Sequence, residues 1–142
     1  MNSRMKVDTR GLAERDPKIS FKDAVLPIIG EEVEKNWDVL GNRVLVATYI
    51  KASRTPGGII LTDKAIDEDR WQGKVGLVMK MGANAFKYID GSFHWEGPKA
   101  KPGDYVVYTT SDTREIGILG VSCRFIDYSM IQSVIRNPDA AY

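Results

Sequence analysis

The chain has 142 residues, of which 43% are hydrophobic and 27% charged, and its 20 basic and 19 acidic residues leave a formal net charge of +1. This describes one domain with a modest core plus some additional chain, and charges so nearly balanced argue against nucleic acid or a membrane surface as the main partner. The single cysteine, Cys123, excludes an intrachain disulfide and a multi-cysteine metal site, and no apolar run is long enough to span a bilayer.

The first residues mix Arg4, Lys6, Arg10 and Arg15 with Asp8, Glu14 and Asp16, a pattern unlike a transit peptide or a secretory signal, so a cytoplasmic setting is expected. Residues 1 to about 18 hold few large apolar side chains and show no period; they are expected to form an arm without a fold of its own. Ser20, followed three residues later by Asp23, signals a helix start. Phe21, Val25 and Ile28 would share a face of that helix, with Pro27 interrupting it. A second short helix is expected over Glu31 to Lys35. The apolar content of residues 19–37 (Ile19, Phe21, Val25, Leu26, Ile28, Ile29, Val33 and Trp37) predicts docking onto the body or onto a neighbouring subunit.

At Val39 the pattern changes to strands. Asn42 to Ile50 is rich in β-branched and aromatic residues. In Gly73 to Lys80, alternation puts Val75, Leu77 and Met79 on one side and Lys74 and Lys80 on the other. Pro102-Gly103-Asp104 reads as a tight turn before the strand Tyr105 to Tyr108. Short strands over Glu115 to Val121 and Arg124 to Ile126 flank Gly120, and Met130 to Ile135 is a last strand or short helix. Asn137-Pro138 ends regular structure. Short strands joined by glycine-rich turns indicate a small antiparallel barrel or sandwich.

Two stretches stand out between the strands. Pro56-Gly57-Gly58 opens a loop, yet Ile59-Ile60-Leu61 follows at once. The triplet is either a short buried strand or an apolar hook displayed for a partner's groove. Gly82 to Lys101 carries Phe86, Tyr88, Phe93 and Trp95 around the hairpin signal Asp90-Gly91. Catalytic chemistry finds little support. The single histidine, His94, sits between Phe93 and Trp95 with no pattern of partners, no phosphate loop or dinucleotide fingerprint is present, and Glu31-Glu32 and Glu68-Asp69 read as solvated charge. Neither an enzyme nor a cofactor or metal site is expected.

The order of these parts resembles the GroES-type co-chaperonins from about Val39 to Ile135. Leu40 to Val46 is similar to the family's first core strand, although Asn42 stands where an acid usually precedes the arginine. Gly57 to Thr62 resembles its mobile loop, Gln72 to Val75 the strand start after that loop, and Lys101 to Tyr108 its lysine-x-glycine-aspartate strand, while Gly82 to Lys101 occupies the place of the roof hairpin. The resemblance implies an all-β fold, a small partly open antiparallel barrel. It divides the chain into an arm (residues 1–38), a barrel (39–135) and a tail (136–142). It also implies a homo-oligomeric, seven-membered ring that caps a GroEL-type chaperonin and encloses an unfolded client, without nucleic acid or membrane. Gly57, Gly58, Ile59, Ile60 and Leu61 would bind the chaperonin's apical domains, and Phe86, Tyr88, Phe93 and Trp95 would line the roof or cavity. The long arm makes the chain look more like a phage-encoded member than a cellular one. The alternative is a virion or other assembly protein that reuses such a barrel and clasps its neighbours with the arm.

Overall fold

The computed structural model describes residues 9–52, 74–86, 97–109 and 113–140. At its centre is β1, Arg43–Thr48, whose Val44-Leu45-Val46-Ala47 run is buried throughout. A continuous apolar run, rather than an alternating one, is what a strand needs when both of its faces are covered. β1 pairs antiparallel with β2 (Val75–Met81) on one side and β5 (Val121–Asp127) on the other. With β3 (Tyr105–Tyr108), β4 (Glu115–Ile118) and β6 (Ile131–Ile135), the order is β4-β5-β1-β2-β3-β6. The sheet is antiparallel and not closed, with β4 and β6 at its edges, in keeping with the partly open GroES-like barrel expected. Leu119-Gly120 forms the two-residue turn between β4 and β5, and both residues hold positive φ, 47° and 84°. The last segment is a strand rather than a helix, entered through a 3-10 turn over Tyr128–Met130 whose Asp127 caps the Ser129 amide at 2.9 Å.

Two hydrophobic clusters lie on the two faces. One holds Leu45, Ala47, Tyr49, Val75, Leu77, Val121 and Cys123 from the sheet side, and Leu12, Phe21, Val25, Ile29 and Val33 from the N-terminal helices. The other holds Val44, Val46, Val78, Val106, Tyr108 and Ile126, together with Ala85, Phe86 and Ala100. The N-terminal helices therefore complete the hydrophobic cluster on one face of the sheet.

Three short helices build that cover: α1 (Thr9–Ala13), α2 (Phe21–Val25) and α3 (Glu31–Asn36), with a π-helical turn over Leu26–Gly30 joining the last two. Ser20 caps α2 as expected, accepting from the Asp23 amide at 3.1 Å. Pro27 does not interrupt the helix. Its missing N–H and its ring are incompatible with a regular α-turn, and the wider i→i+5 turn accommodates both. This changes the buried face. Phe21, Val25, Ile29 and Val33 are buried at intervals of four, whereas Ile28 is 45% exposed. At 3.6 residues per turn each interval of four drifts by roughly 40°, and the wider turn brings Ile29 and Val33 back to the sheet.

Three further expectations change. Residues 9–18 are not an arm without a fold, because α1 buries Leu12 and Ala13. Ile19, Leu26 and Ile28 remain exposed, so only part of the apolar content of residues 19–37 docks on the body. Lys80 does not lie opposite Leu77: a bulge between Leu45 and Val46 makes Met79 an extra residue, so Lys80 pairs with Leu45 and its Nζ reaches the Glu34 carbonyl at 3.1 Å.

Candidate functional site

Residues 57–61, the expected chaperonin-binding stretch, lie outside the described residues, as do Tyr88, Phe93 and Trp95. The described residues do position the two ends of the segment 53–73, which leaves β1 after Ile50 and re-enters the sheet at β2. The Tyr49 amide donates to the Val75 carbonyl at 2.9 Å, and the Tyr108 amide donates to the Lys74 carbonyl at 3.0 Å. The described residues that flank the segment therefore sit at one end of the sheet. Close packing sets β2 there: a Cβ on Gly76 would lie 3.0 Å from Val46 Cβ and 3.1 Å from the Tyr108 ring.

Tyr49 is the hub of this root. It is buried, with Phe21 edge-on at 5.2 Å between centroids and Tyr105 at 6.0 Å. Its hydroxyl donates to the Asp139 carboxylate in the 3-10 turn Pro138–Ala140 near the C-terminus. Burial, and then the bond to Asp139, push that hydroxyl well above its ordinary value of 10.0. The Tyr105 hydroxyl accepts from the Lys22 amide at 3.0 Å, and burial raises it as well. Arg15 completes the group. Its guanidinium carbon lies 5.5 Å from the Phe21 centroid and 5.9 Å from that of Tyr49, within reach of a cation–π contact. It donates to the Leu12 carbonyl at 2.8 Å, the Ile50 carbonyl at 2.7 Å and the Ile19 carbonyl at 3.2 Å. Nothing in residues 1–18 read as sequence singled out Arg15; an arginine among mixed charges carries no periodic signal.

The same end of the sheet holds a buried polar group. Ser122 Oγ lies 3.0 Å from Thr48 Oγ1 and donates to Glu115 Oε2 at 2.8 Å, while Arg124 donates to the Thr113 carbonyl and hydroxyl at 3.2 and 3.1 Å. Thr48, Ser122 and Arg124 are all buried. Burial pushes the Tyr108 hydroxyl up to about 12, opposed by the Arg124 charge. In β5 these polar residues alternate with Val121, Cys123 and Phe125, a period-2 pattern that sequence alone assigns to solvent.

At the other end of β2, Gly82 roots the excursion expected to form a roof. A Cβ there would fall 2.3 Å from the Gly41 carbonyl oxygen, so only glycine fits. Phe86 follows with φ of 56° and packs its ring against Tyr128 at 5.1 Å between centroids. It is 3% exposed, so it anchors the start of the excursion in the core. An aromatic in a glycine-flanked excursion carries no mark that separates an anchor from a displayed ring.

Chemistry at these residues is structural. Burial raises the Cys123 thiol to about 12, which leaves little thiolate at neutral pH, and no cluster of three potential metal ligands occurs among the described residues. What the geometry provides is an open antiparallel sheet that presents one long segment from a braced root and a second excursion from the opposite end of β2. A family model described as the chaperonin 10 Kd subunit matches residues 36–135. The chain belongs to this family. Membership carries a co-chaperonin role in general, with a GroEL-type chaperonin as partner and an oligomeric ring as the working form, and the family is not one of enzymes. No curated protein sequence matches this co-chaperonin. The matched span begins at the last residue of α3, so α1, α2 and the π-helical turn precede it. No helix among the described residues is long and apolar enough to cross a membrane.

Proposed function

We propose that this co-chaperonin caps a GroEL-type chaperonin as a seven-membered ring and encloses an unfolded client. In this reading Gly57 and Gly58 give the backbone freedom, and Ile59, Ile60 and Leu61 enter apolar grooves on the apical domains. Tyr88, Phe93 and Trp95 face the enclosed cavity, with Phe86 as their anchor. Residues 1–38 act as an arm, 39–135 as the barrel and 136–142 as a tail. The setting is the cytoplasm, that of a host cell if the chain is phage-encoded. The observation that carries the reading is the family match over residues 36–135, and the paired ends of segment 53–73 at one end of the sheet support it.

The energetics suit a lid that comes off. Burying three aliphatic side chains is worth roughly 5–9 kcal/mol. Ordering about ten backbone residues would cost roughly 1–2 kcal/mol each, as much as that gain or more, so a segment that binds at all orders only part of its length. One segment binds weakly, and a ring of them binds well through effective concentration. The test is co-migration of the full chain with a purified GroEL-type chaperonin in the presence of nucleotide. Wild type is expected to co-migrate. Ile60→Asp is expected to lose capture while keeping its circular dichroism spectrum and melting temperature, since a charge would be buried unpaired in the partner's groove. A large loss of thermal stability in Ile60→Asp would place Ile59-Ile60-Leu61 in the core and overturn the reading.

A further inference from the structure

The arm displays an apolar knuckle. Leu26, Pro27 and Ile28 are all exposed, in the same π-helical turn that sends Ile29 inward. Contiguous exposed apolar residues mark contact surfaces, as isolated ones do not. The first turn of α3 follows directly and is acidic. Glu31, Glu32 and Glu34 stand against one base, Lys35, which pairs with Glu31 at 2.6 Å.

The chain also carries a complement to this knuckle. A groove of about 560 Å³ runs beside β6, an edge strand with a neighbouring strand on one side only. Ala100, Ile131 and Val134 supply apolar lining, and the exposed Lys99, Lys101 and Arg136 line it too. Asp104 is the one acid among the described lining residues, and its carboxylate already accepts from the Lys101 amide at 3.1 Å. Apolar residues beside acids match apolar residues beside bases, and such complementarity fixes orientation and disfavours wrong partners. The two surfaces do not meet within one copy. The helices that carry the knuckle pack through Val25, Ile29 and Val33 on one face of the sheet, whereas Ala100, Ile131 and Val134 belong to or pack against the cluster on the other.

We propose that Leu26-Pro27-Ile28 of one copy docks in the β6 groove of the next copy, so the arm adds a subunit contact from outside the span that matches the family. A contact between unlike surfaces of identical chains is heterologous, and it closes only as a ring. A ring is the working form that family membership carries. The contact uses no residue of segment 53–73.

The test introduces cysteines into the full chain at Ile28 and at Gln132, an exposed residue of the groove. Ile28→Cys, Gln132→Cys and the double variant are treated with a short bismaleimide under conditions where sedimentation shows an intact oligomer. The native Cys123 is buried, and its thiol stays protonated at neutral pH. A mixture of the two single variants, allowed to exchange subunits, is expected to give cross-linked dimers, and the double variant a ladder that ends at the size of the ring. Neither single variant should cross-link alone. Dimers from Ile28→Cys alone would mean that arms meet arms. A double variant linked only within one chain would bring the two surfaces together in a single copy. Absence of any cross-link in an intact oligomer would leave the knuckle uncovered. Each of these results overturns the proposal, as does a wild-type chain that sediments as a monomer at every concentration.

A second measurement disturbs each side in turn. Ile28 is exposed in the single subunit, so the readout is assembly and not subunit stability. Ile28→Asp and Arg136→Glu are both expected to keep the circular dichroism spectrum. Each should raise the concentration for half-assembly by roughly tenfold or more, one by burying a charge and the other by reversing one. An unchanged midpoint in both variants overturns the contact.

Discussion

The two faces of β1 are closed in different ways. On one face, Val44 and Val46 pack with Val78, Val106, Ile126, Phe86 and Ala100, all supplied from within the span that matches the family. On the other face, Leu45 and Ala47 meet Leu12, Phe21, Val25, Ile29 and Val33, all of which precede that span. The same four-residue run thus serves a self-contained core and a core that depends on an added segment. An antiparallel sheet can leave one face to solvent, and here the arm makes a second buried face possible. The Leu-Val-Ala continuity of β1 is meaningful only with the arm in place.

Removing the arm should produce the largest effect. Deleting residues 1–37 strips Phe21, Val25, Ile29 and Val33 from the sheet, about 6–12 kcal/mol gross at roughly 1.5–3 per side chain, before ordering entropy is subtracted. A domain stable by about 5–15 kcal/mol has little left after such a loss. The expected result is a chain that binds a hydrophobic dye and lacks a cooperative thermal transition. Among the described residues, deleting residues 1–18 removes Leu12, Ala13 and Arg15 from the packed set, and it should lower the melting temperature while the chain stays folded. A deletion of 1–37 that melts like the full chain would mean that the arm-side face is stable without its cover, and that the two faces differ less than their packing suggests.

A smaller effect separates two neighbours in the arm. Ile29 is fully buried under the sheet and Ile28 is 45% exposed. Ile29→Ala is expected to cost about 2–5 kcal/mol in urea unfolding, as buried large-to-small changes do. Ile28→Ala should stay within about 0.5 kcal/mol. The reverse ranking would mean that the helix passes Pro27 with ordinary α phase, and would remove the π-helical turn as the reason why Ile29 and Val33 reach Leu45 and Leu77.

The same contrast governs what the sequence revealed. The barrel was legible because its strands carry their own signals: β-branched runs, the turn at Pro102-Gly103, and glycines between strands. The Ser20 cap was legible because the bond is local. Helix α1 was not, since five residues with one large aliphatic have no period, and what folds them is the Arg15 guanidinium and the face of a sheet far along the chain. Burial of Phe86 and Arg124 depends likewise on partners, Tyr128 and Thr113, that no spacing announces. The bulge at Met79 turned Lys80 to the arm side, and alternation alone could not have placed it. As for the candidate site, the sequence singled out Ile59-Ile60-Leu61, while the root that holds the segment, Arg15-Tyr49-Asp139, is assembled from three distant parts of the chain.

A further small effect is expected where neither face decides. Leu119 sits in the β4–β5 turn with φ of 47°, followed by Gly120 at 84°, and is 47% exposed. A left-handed conformation costs a leucine about 1–2 kcal/mol, and a half-exposed side chain recovers little of that by burial. Two successive positive φ values define the hairpin turn for which Asn-Gly is the favoured pair. Leu119→Asn should therefore stabilise the protein, by about 0.5–1 kcal/mol in urea unfolding, with no change in either core. The size of the gain calibrates the comparison of the faces, because it isolates a local backbone term from packing. A loss instead of a gain would mean that the exposed leucine makes a contact worth more than the strain, and in a ring-forming family the neighbouring subunit is the first place to look. Repeating the measurement across a range of protein concentrations distinguishes the two: a purely local turn effect is independent of concentration, whereas a lost subunit contact weakens the assembly most when the protein is dilute.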